Sequence, residues 1–166
     1  MLRLLLLRHA EAAPAARASD LDRRLTPGGK AGAARFGAYM QATGLAPDLT
    51  LVSPARRALE TLGEIEQALS RPLPPSVKAP ALYNAKRPTI TALIAETPPA
   101  VGVLLIIGHN PGLAETAVAL ARHGDCANLA RVRAQFPAPC LAIIDFDEGD
   151  WRTASCGEGR LARFLT

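Results

Sequence analysis

Three short apolar runs that do not alternate constrain the fold of this chain most: Arg3 to Leu7, Leu49 to Val52 and Val103 to Ile107. A strand with one wet face carries polar residues at every second position, so these runs read as strands buried on both faces, inside a parallel sheet. Helix-start signals follow them. Thr26-Pro27 supplies an N-cap and a proline for the first helical position, with Gly44 as a stop, and Ser53-Pro54 opens a second helix running toward Ser70. A further helix is predicted near Thr89 to Glu96, and Gly108-His109-Asn110-Pro111-Gly112 leads into an apolar helix reaching about Ala121. The segment Arg71 to Pro88 holds five of the 14 prolines and reads as a long loop, a feature commonly tied to function. Leu141 to Phe146 and Trp151 to Cys156 flank the turn-rich Asp147-Glu148-Gly149-Asp150 and predict a closing β-hairpin.

Strands alternating with helices predict an α/β fold: a three-layer α/β/α sandwich with a mostly parallel central sheet. The 166 residues have the length of one domain, 1–166, with no repeat, low-complexity tract or linker to divide it. A chain this long buries roughly 70% of its unfolded surface, and 49% hydrophobic against 20% charged residues excludes a disordered or fibrous class. Cys126, Cys140 and Cys156 form neither an even disulfide set nor a C-x-x-C pair, and read as small buried hydrophobes of a reducing compartment. Leu4 to Leu7, between Arg3 and Arg8, is shorter than the roughly 7 to 15 residues of a signal-peptide core and far shorter than a membrane span. A cytoplasmic protein without a membrane partner is expected. The net charge is +4 and the pI about 9.3, but the basic residues are scattered pairs and only seven aromatics are present to stack bases. Small anionic groups suit this chain better than a nucleic acid.

Ligands of open α/β sheets bind at the carboxyl ends of the strands. The first positions past the three runs are Arg8 and His9, then Ser53 with Arg56 and Arg57 one turn into its helix, then Gly108 and His109. Guanidinium groups fork onto phosphate oxygens, and helix N-termini add N–H donors. A neutral imidazole beside such cations can attack phosphorus, while a second imidazole donates to the oxygens as charge develops. Taken singly, each residue has a plainer reading: Arg8-His9 as a surface pair, His109 as a helix cap, Arg56 and Arg57 as helix charges pairing with Glu60. Their convergence on one rim carries the phosphoryl-transfer reading, although the pattern does not choose between Arg56 and Arg57. The histidines and cysteines show no metal-ligand spacing, so neither a metal nor a cofactor is expected. Gly28-Gly29-Lys30 lacks the preceding strand and the Ser or Thr of a phosphate loop and reads as the first turn of a helix. His123 stands alone as a surface residue, and Trp151 reads as packing.

Four segments, in order, carry a family resemblance. Arg8-His9-Ala10-Glu11-Ala12 resembles the R-H motif of the histidine phosphatase (phosphoglycerate mutase-like) superfamily. Asp22-Arg23-Arg24-Leu25-Thr26-Pro27-Gly28-Gly29 resembles its D-x-R-x-L-T-x-x-G stretch, and Ser53-Pro54-Ala55-Arg56-Arg57-Ala58 its S-P-x-x-R-A. Gly108-His109-Asn110-Pro111-Gly112-Leu113 is similar to the second-histidine motif of the SixA phosphohistidine phosphatase group, which the short chain without cap insertions also resembles. The resemblance implies a phosphoglycerate mutase-like fold with His9 as the phosphorylated nucleophile. It further implies a phosphate pocket of Arg8, Arg57 and His109, with Arg23 as an additional contact. The S-P-x-x-R spacing selects Arg57 over Arg56.

One departure bears on mechanism. Larger members of the superfamily supply a Glu or Asp general acid from the loop after the second strand and helix, yet no carboxylate occurs from Gln67 through Ala95. An alkoxide leaving group benefits strongly from a proton donor, whereas a phosphorylated imidazole leaves already protonated on its other nitrogen. The expected activity is therefore a metal-independent phosphohistidine phosphatase acting on a phosphocarrier or histidine phosphotransfer domain. A phosphomonoesterase for small metabolites, using Glu11 or Glu115 as acid, is the alternative. A non-catalytic phosphate-binding module is a third reading, against which the intact His9 argues.

Overall fold

The structure, a computed structural model, describes residues 1–14, 19–70, 72–147 and 149–166. The apolar runs form β1 (Leu2–Arg8), β2 (Leu49–Val52) and β4 (Val103–Gly108), with a two-residue edge strand β3 (Val77–Lys78) beside β2. Three more strands, β5 (Ala121–Gly124), β6 (Cys140–Phe146) and β7 (Gly159–Leu165), complete one sheet in the order β3-β2-β4-β1-β6-β7-β5. The pairings of β6 with β1 and β7 are antiparallel and the others parallel, which is the mostly parallel α/β sheet predicted.

Leu4, Leu5, Leu6 and Leu7 are all fully buried, and their alternation sends them to two separate cores. Leu5 and Leu7 pack with Phe36, Met40, Leu62 and Ile65 of α1 (Pro27–Thr43) and α2 (Arg56–Gln67). On the other face Leu4 and Leu6 join Ile90, Ile94, Leu113 and Leu120 of α3 (Arg87–Ala95) and α4 (Gly112–Leu120). Each such side chain contributes about 1.5–3 kcal/mol on burial, which fixes β1 between two helical layers. The layers are completed by α5 (Cys126–Ala134) and α6 (Trp151–Ala154). As predicted, Thr26 caps α1, its hydroxyl accepting from the Gly29 N–H at 2.9 Å, and Gly44 ends it at φ 66°, where a side chain would be strained. The Gly28-Gly29-Lys30 segment is the first turn of this helix.

Four expectations need correction. The return strand of the hairpin is Gly159–Leu165, not Trp151 to Cys156. The Asp150 side chain caps the Arg152 N–H, and the buried Trp151 indole donates to the Val101 carbonyl at 2.7 Å, so this stretch closes as a helical turn; Glu148 lies outside the described residues. The long loop is partly ordered by β3 and by a 3-10 turn at Pro80–Leu82, and α3 starts at Arg87, two residues early; Arg71 is likewise outside the described residues. β5 and α5 were not foreseen. Cys140 is buried, its thiol pKa pushed up to about 12, whereas Cys126 and Cys156 are exposed rather than packed inside. Trp151 does belong to the core, and His123 is exposed beside Glu158. Among the described residues no helix is long and apolar enough to cross a membrane.

Candidate active site

Strand register assembles the site. Leu7 and Val52 both lie opposite Ile107, so the residues that follow on the three strands emerge on one rim. Arg8 pairs with Gly108, the His9 N–H donates to the Gly108 carbonyl, and the Ser53 N–H donates to Ile107. The rings of His9 and His109 consequently stand 5.1 Å apart, both nearly buried.

Arg57 links them. It is 3% exposed and donates from Nε to His9 Nε2 at 3.1 Å, while its Nη2 lies 3.2 Å from His109 Nδ1. Arg56 instead points outward and pairs with Glu60 at 2.8 Å, one turn along α2. Arg8 donates to the Phe136 carbonyl at 2.6 Å, and its Nε is buried without a hydrogen-bond partner among the described residues. Such an unmet donor costs about 1–3 kcal/mol unless an acceptor arrives. Arg23 is not brought onto the histidines: it is held by the Ala12 and Ala13 carbonyls and by Asp20.

Hydrogen bonding decides the tautomer of His9. Its Nδ1 lies 2.7 Å from the Ala10 carbonyl, which can only accept, so Nδ1 carries the hydrogen and Nε2 is unprotonated, its lone pair accepting from Arg57 Nε. The Ala10 peptide is itself fixed, because its N–H donates to Thr61 Oγ1 at 3.0 Å and that hydroxyl donates to the Arg57 carbonyl. Burial, then the charges of Arg57, Arg8 and Arg23, lower the His9 pKa to about 4, against the pull of the Ala10 bond. His109 is lowered to about 3, by burial first and then by Arg57 and His9. Its Nε2 lies 2.7 Å from Ser53 Oγ, which also accepts from the Ala55 N–H at 3.3 Å. Arg57 Nη2 can only donate, so His109 Nδ1 accepts from it and Nε2 carries the hydrogen, donating to Ser53 Oγ. Both imidazoles are therefore neutral at physiological pH, and each turns a lone pair to Arg57, His9 through Nε2 and His109 through Nδ1.

Three contributors escaped the sequence reading: Asp20, Thr61 and Tyr83. Asp20 receives Arg57, Arg23 and the Tyr83 hydroxyl, and the Tyr83 ring stands edge-on to His109 at 5.8 Å. Thr61 was detectable as a polar residue four positions after Arg57 on the buried face of α2, whereas nothing local marks Asp20 or Tyr83. Gly112 lets the start of α4 press on the Ala85 carbonyl, a space that any Cβ would fill, and this keeps the Tyr83 segment over His109. Glu11 accepts from Thr26 at the start of α1, and Glu115 sits in the first turn of α4; neither is hydrogen-bonded to the histidine–arginine cluster. Among the described residues no group of three or more His, Cys, Asp or Glu is arranged to hold a metal ion.

Residues 4–82 match the sequence profile of the histidine phosphatase superfamily (branch 1). An uncharacterized protein of Mycobacterium tuberculosis, Rv1276c, is 31% identical over 165 residues, spanning 95% of this chain and 98% of its own. Two solved structures provisionally assigned as the phosphohistidine phosphatase SixA share the fold over nearly their full length. The one from Agrobacterium tumefaciens is 30% identical at a TM-score of 0.82, covering 99% of this chain and 97% of that one. The one from Nakamurella multipartitia is 25% identical at 0.85, covering 99% and 95%. With this profile and these relatives, the chain belongs to the histidine phosphatase superfamily (branch 1), is of its SixA type, and is by that membership a phosphatase.

Proposed function

We propose that the chain removes phosphate from a phosphorylated histidine borne by a protein, such as a phosphocarrier or a histidine phosphotransfer domain, through a phosphorylated His9. The observation that carries this reading is the His9 tautomer: Nδ1–H is committed to Ala10, and the unprotonated Nε2 stands among Arg57, Arg8 and His109. In the first step the Nε2 lone pair forms a bond to phosphorus and the substrate N–P bond breaks, its electron pair returning to the departing ring. Arg57 and Arg8 neutralise the charge on the transferring oxygens, and His109, accepting from Arg57 through Nδ1, holds that guanidinium in place. Water then attacks phosphorus, the P–Nε2 bond breaks, and His9 is regenerated neutral, the water proton passing to phosphate or solvent.

An N–P substrate is supported by the absence of carboxylates from Gln67 through Ala95 and by the lack of any hydrogen bond from Glu11 or Glu115 to the cluster among the described residues. The test compares turnover of a phosphohistidine-bearing protein with that of an aryl phosphate, with and without EDTA. A preference for phosphohistidine, unaffected by EDTA and retained in Glu11→Gln and Glu115→Gln, is expected. A preference for the ester would favour the small-metabolite phosphomonoesterase.

A further inference from the structure

Among the described residues, Asp20 holds the one carboxylate hydrogen-bonded to the cluster. Its Oδ2 accepts from Arg57 Nη2 at 3.1 Å and from the Tyr83 hydroxyl at 2.7 Å, and its Oδ1 accepts from Arg23 at 3.1 Å. Arg57 runs from the inside of the site to its mouth: Nε meets His9, whereas Nη1 and Nη2 meet Asp20, whose side chain is 44% exposed. Displacement on phosphorus is in line, so a leaving group departs on the side away from His9, toward solvent. Asp20 stands at the exposed end of Arg57, the end away from His9 Nε2.

We propose that Asp20 is a specificity-determining residue whose carboxylate accepts the ring N–H of a departing imidazole and so favours N–P over O–P substrates. The proposal rests on the phosphohistidine reading above. A fixed negative charge beside a phosphate site opposes binding of the phosphoryl group, and holding Arg57 does not require it. The Asp20 backbone carbonyl already takes Arg57 Nη1 at 2.6 Å. An ionised carboxylate offers about four acceptor positions, and among the described residues three are filled, by Arg57, Tyr83 and Arg23, which leaves one for substrate. Bonds from Tyr83 and then Arg23, with the Arg57 charge, hold the Asp20 pKa down at about 2, so it has no proton to give an alkoxide. Toward a phosphoimidazolium the same group is complementary. When the N–P bond breaks, its electron pair returns to the ring nitrogen, the other nitrogen keeps its hydrogen on Asp20, and neutral histidine leaves with no proton transferred.

The experiment measures kcat/KM of wild type and Asp20→Asn on free phosphohistidine and on para-nitrophenyl phosphate. The ratio of the two values is expected to fall about tenfold or more in the variant, as suits loss of one charge-assisted hydrogen bond. Asp20→Ser removes the charge by another route and should lower the ratio likewise. A ratio unchanged or raised in either variant, including an equal loss on both substrates, overturns the proposal and leaves Asp20 acting only through Arg57. A wild-type preference for the ester would instead overturn the phosphohistidine reading itself.

Discussion

Arg56 and Arg57 are neighbours on one helix, and burial separates them: the first pairs with Glu60 in solvent while the second is enclosed between two histidines. Removing a desolvated, multiply bonded guanidinium should cost on the order of 2–5 kcal/mol of transition-state stabilisation, and removing an exposed ion-pair partner less than about 1 kcal/mol. Arg57→Ala is thus expected to lose at least about 30-fold in kcat/KM, and Arg56→Ala only a few-fold; equal losses would refute the assignment. At this scale the rim rule reached Arg8, His9 and His109 because each follows an apolar run directly. Asp20 was out of reach, since its contact with Arg57 spans 37 residues and leaves no local pattern. Arg23 shows the converse: it is adjacent in sequence to the right elements, yet three of its five donors go to carbonyls and Asp20 and none to the histidines.

Helix α2 does two tasks from one buried face, carrying Arg57 into the cluster and, one turn later, Thr61 under the Ala10 peptide. Thr61→Val keeps the shape but leaves the buried Ala10 N–H without an acceptor. Equilibrium unfolding in urea should show a loss of about 1–3 kcal/mol, with kcat reduced because the Ala10 carbonyl no longer fixes the His9 ring firmly. Unchanged stability and kcat would show that the Ala10–Thr61 bond does not hold the loop. Elements with strong local signals were legible, as the caps of α1 and the limits of β2 show. The C-terminal third was less so. Trp151-Arg152-Thr153 has a strand's alternation, but the Asp150 cap and the buried indole bond override it, while Gly159 to Leu165 pairs with β6 through tertiary register.

Over the whole molecule, the parallel pairing of β2, β4 and β1 turns three separate sequence positions into one site, and enclosing that site has a consequence for stability. His9 and His109 have folded-state pKa values near 4 and 3, below the ordinary 6.5. Between these values the unfolded chain binds protons that the native state does not, so stability is fully present above about pH 6.5 and is lost as pH falls. From pH 7 to 5 the loss should be on the order of 2 kcal/mol for His9 alone, read as a lower urea midpoint at pH 5. An equal or higher midpoint at pH 5 would contradict the neutral, buried histidine pair. The function proposed for that pair stands on a covalent phosphate at His9 Nε2. Its most direct measurement is rapid quenching of a reaction with a phosphorus-labelled substrate, followed by stability assays and mapping of protein-bound label. Acid-labile, base-stable label on His9, absent from His9→Ala, is the result expected; label that persists in His9→Ala would contradict it.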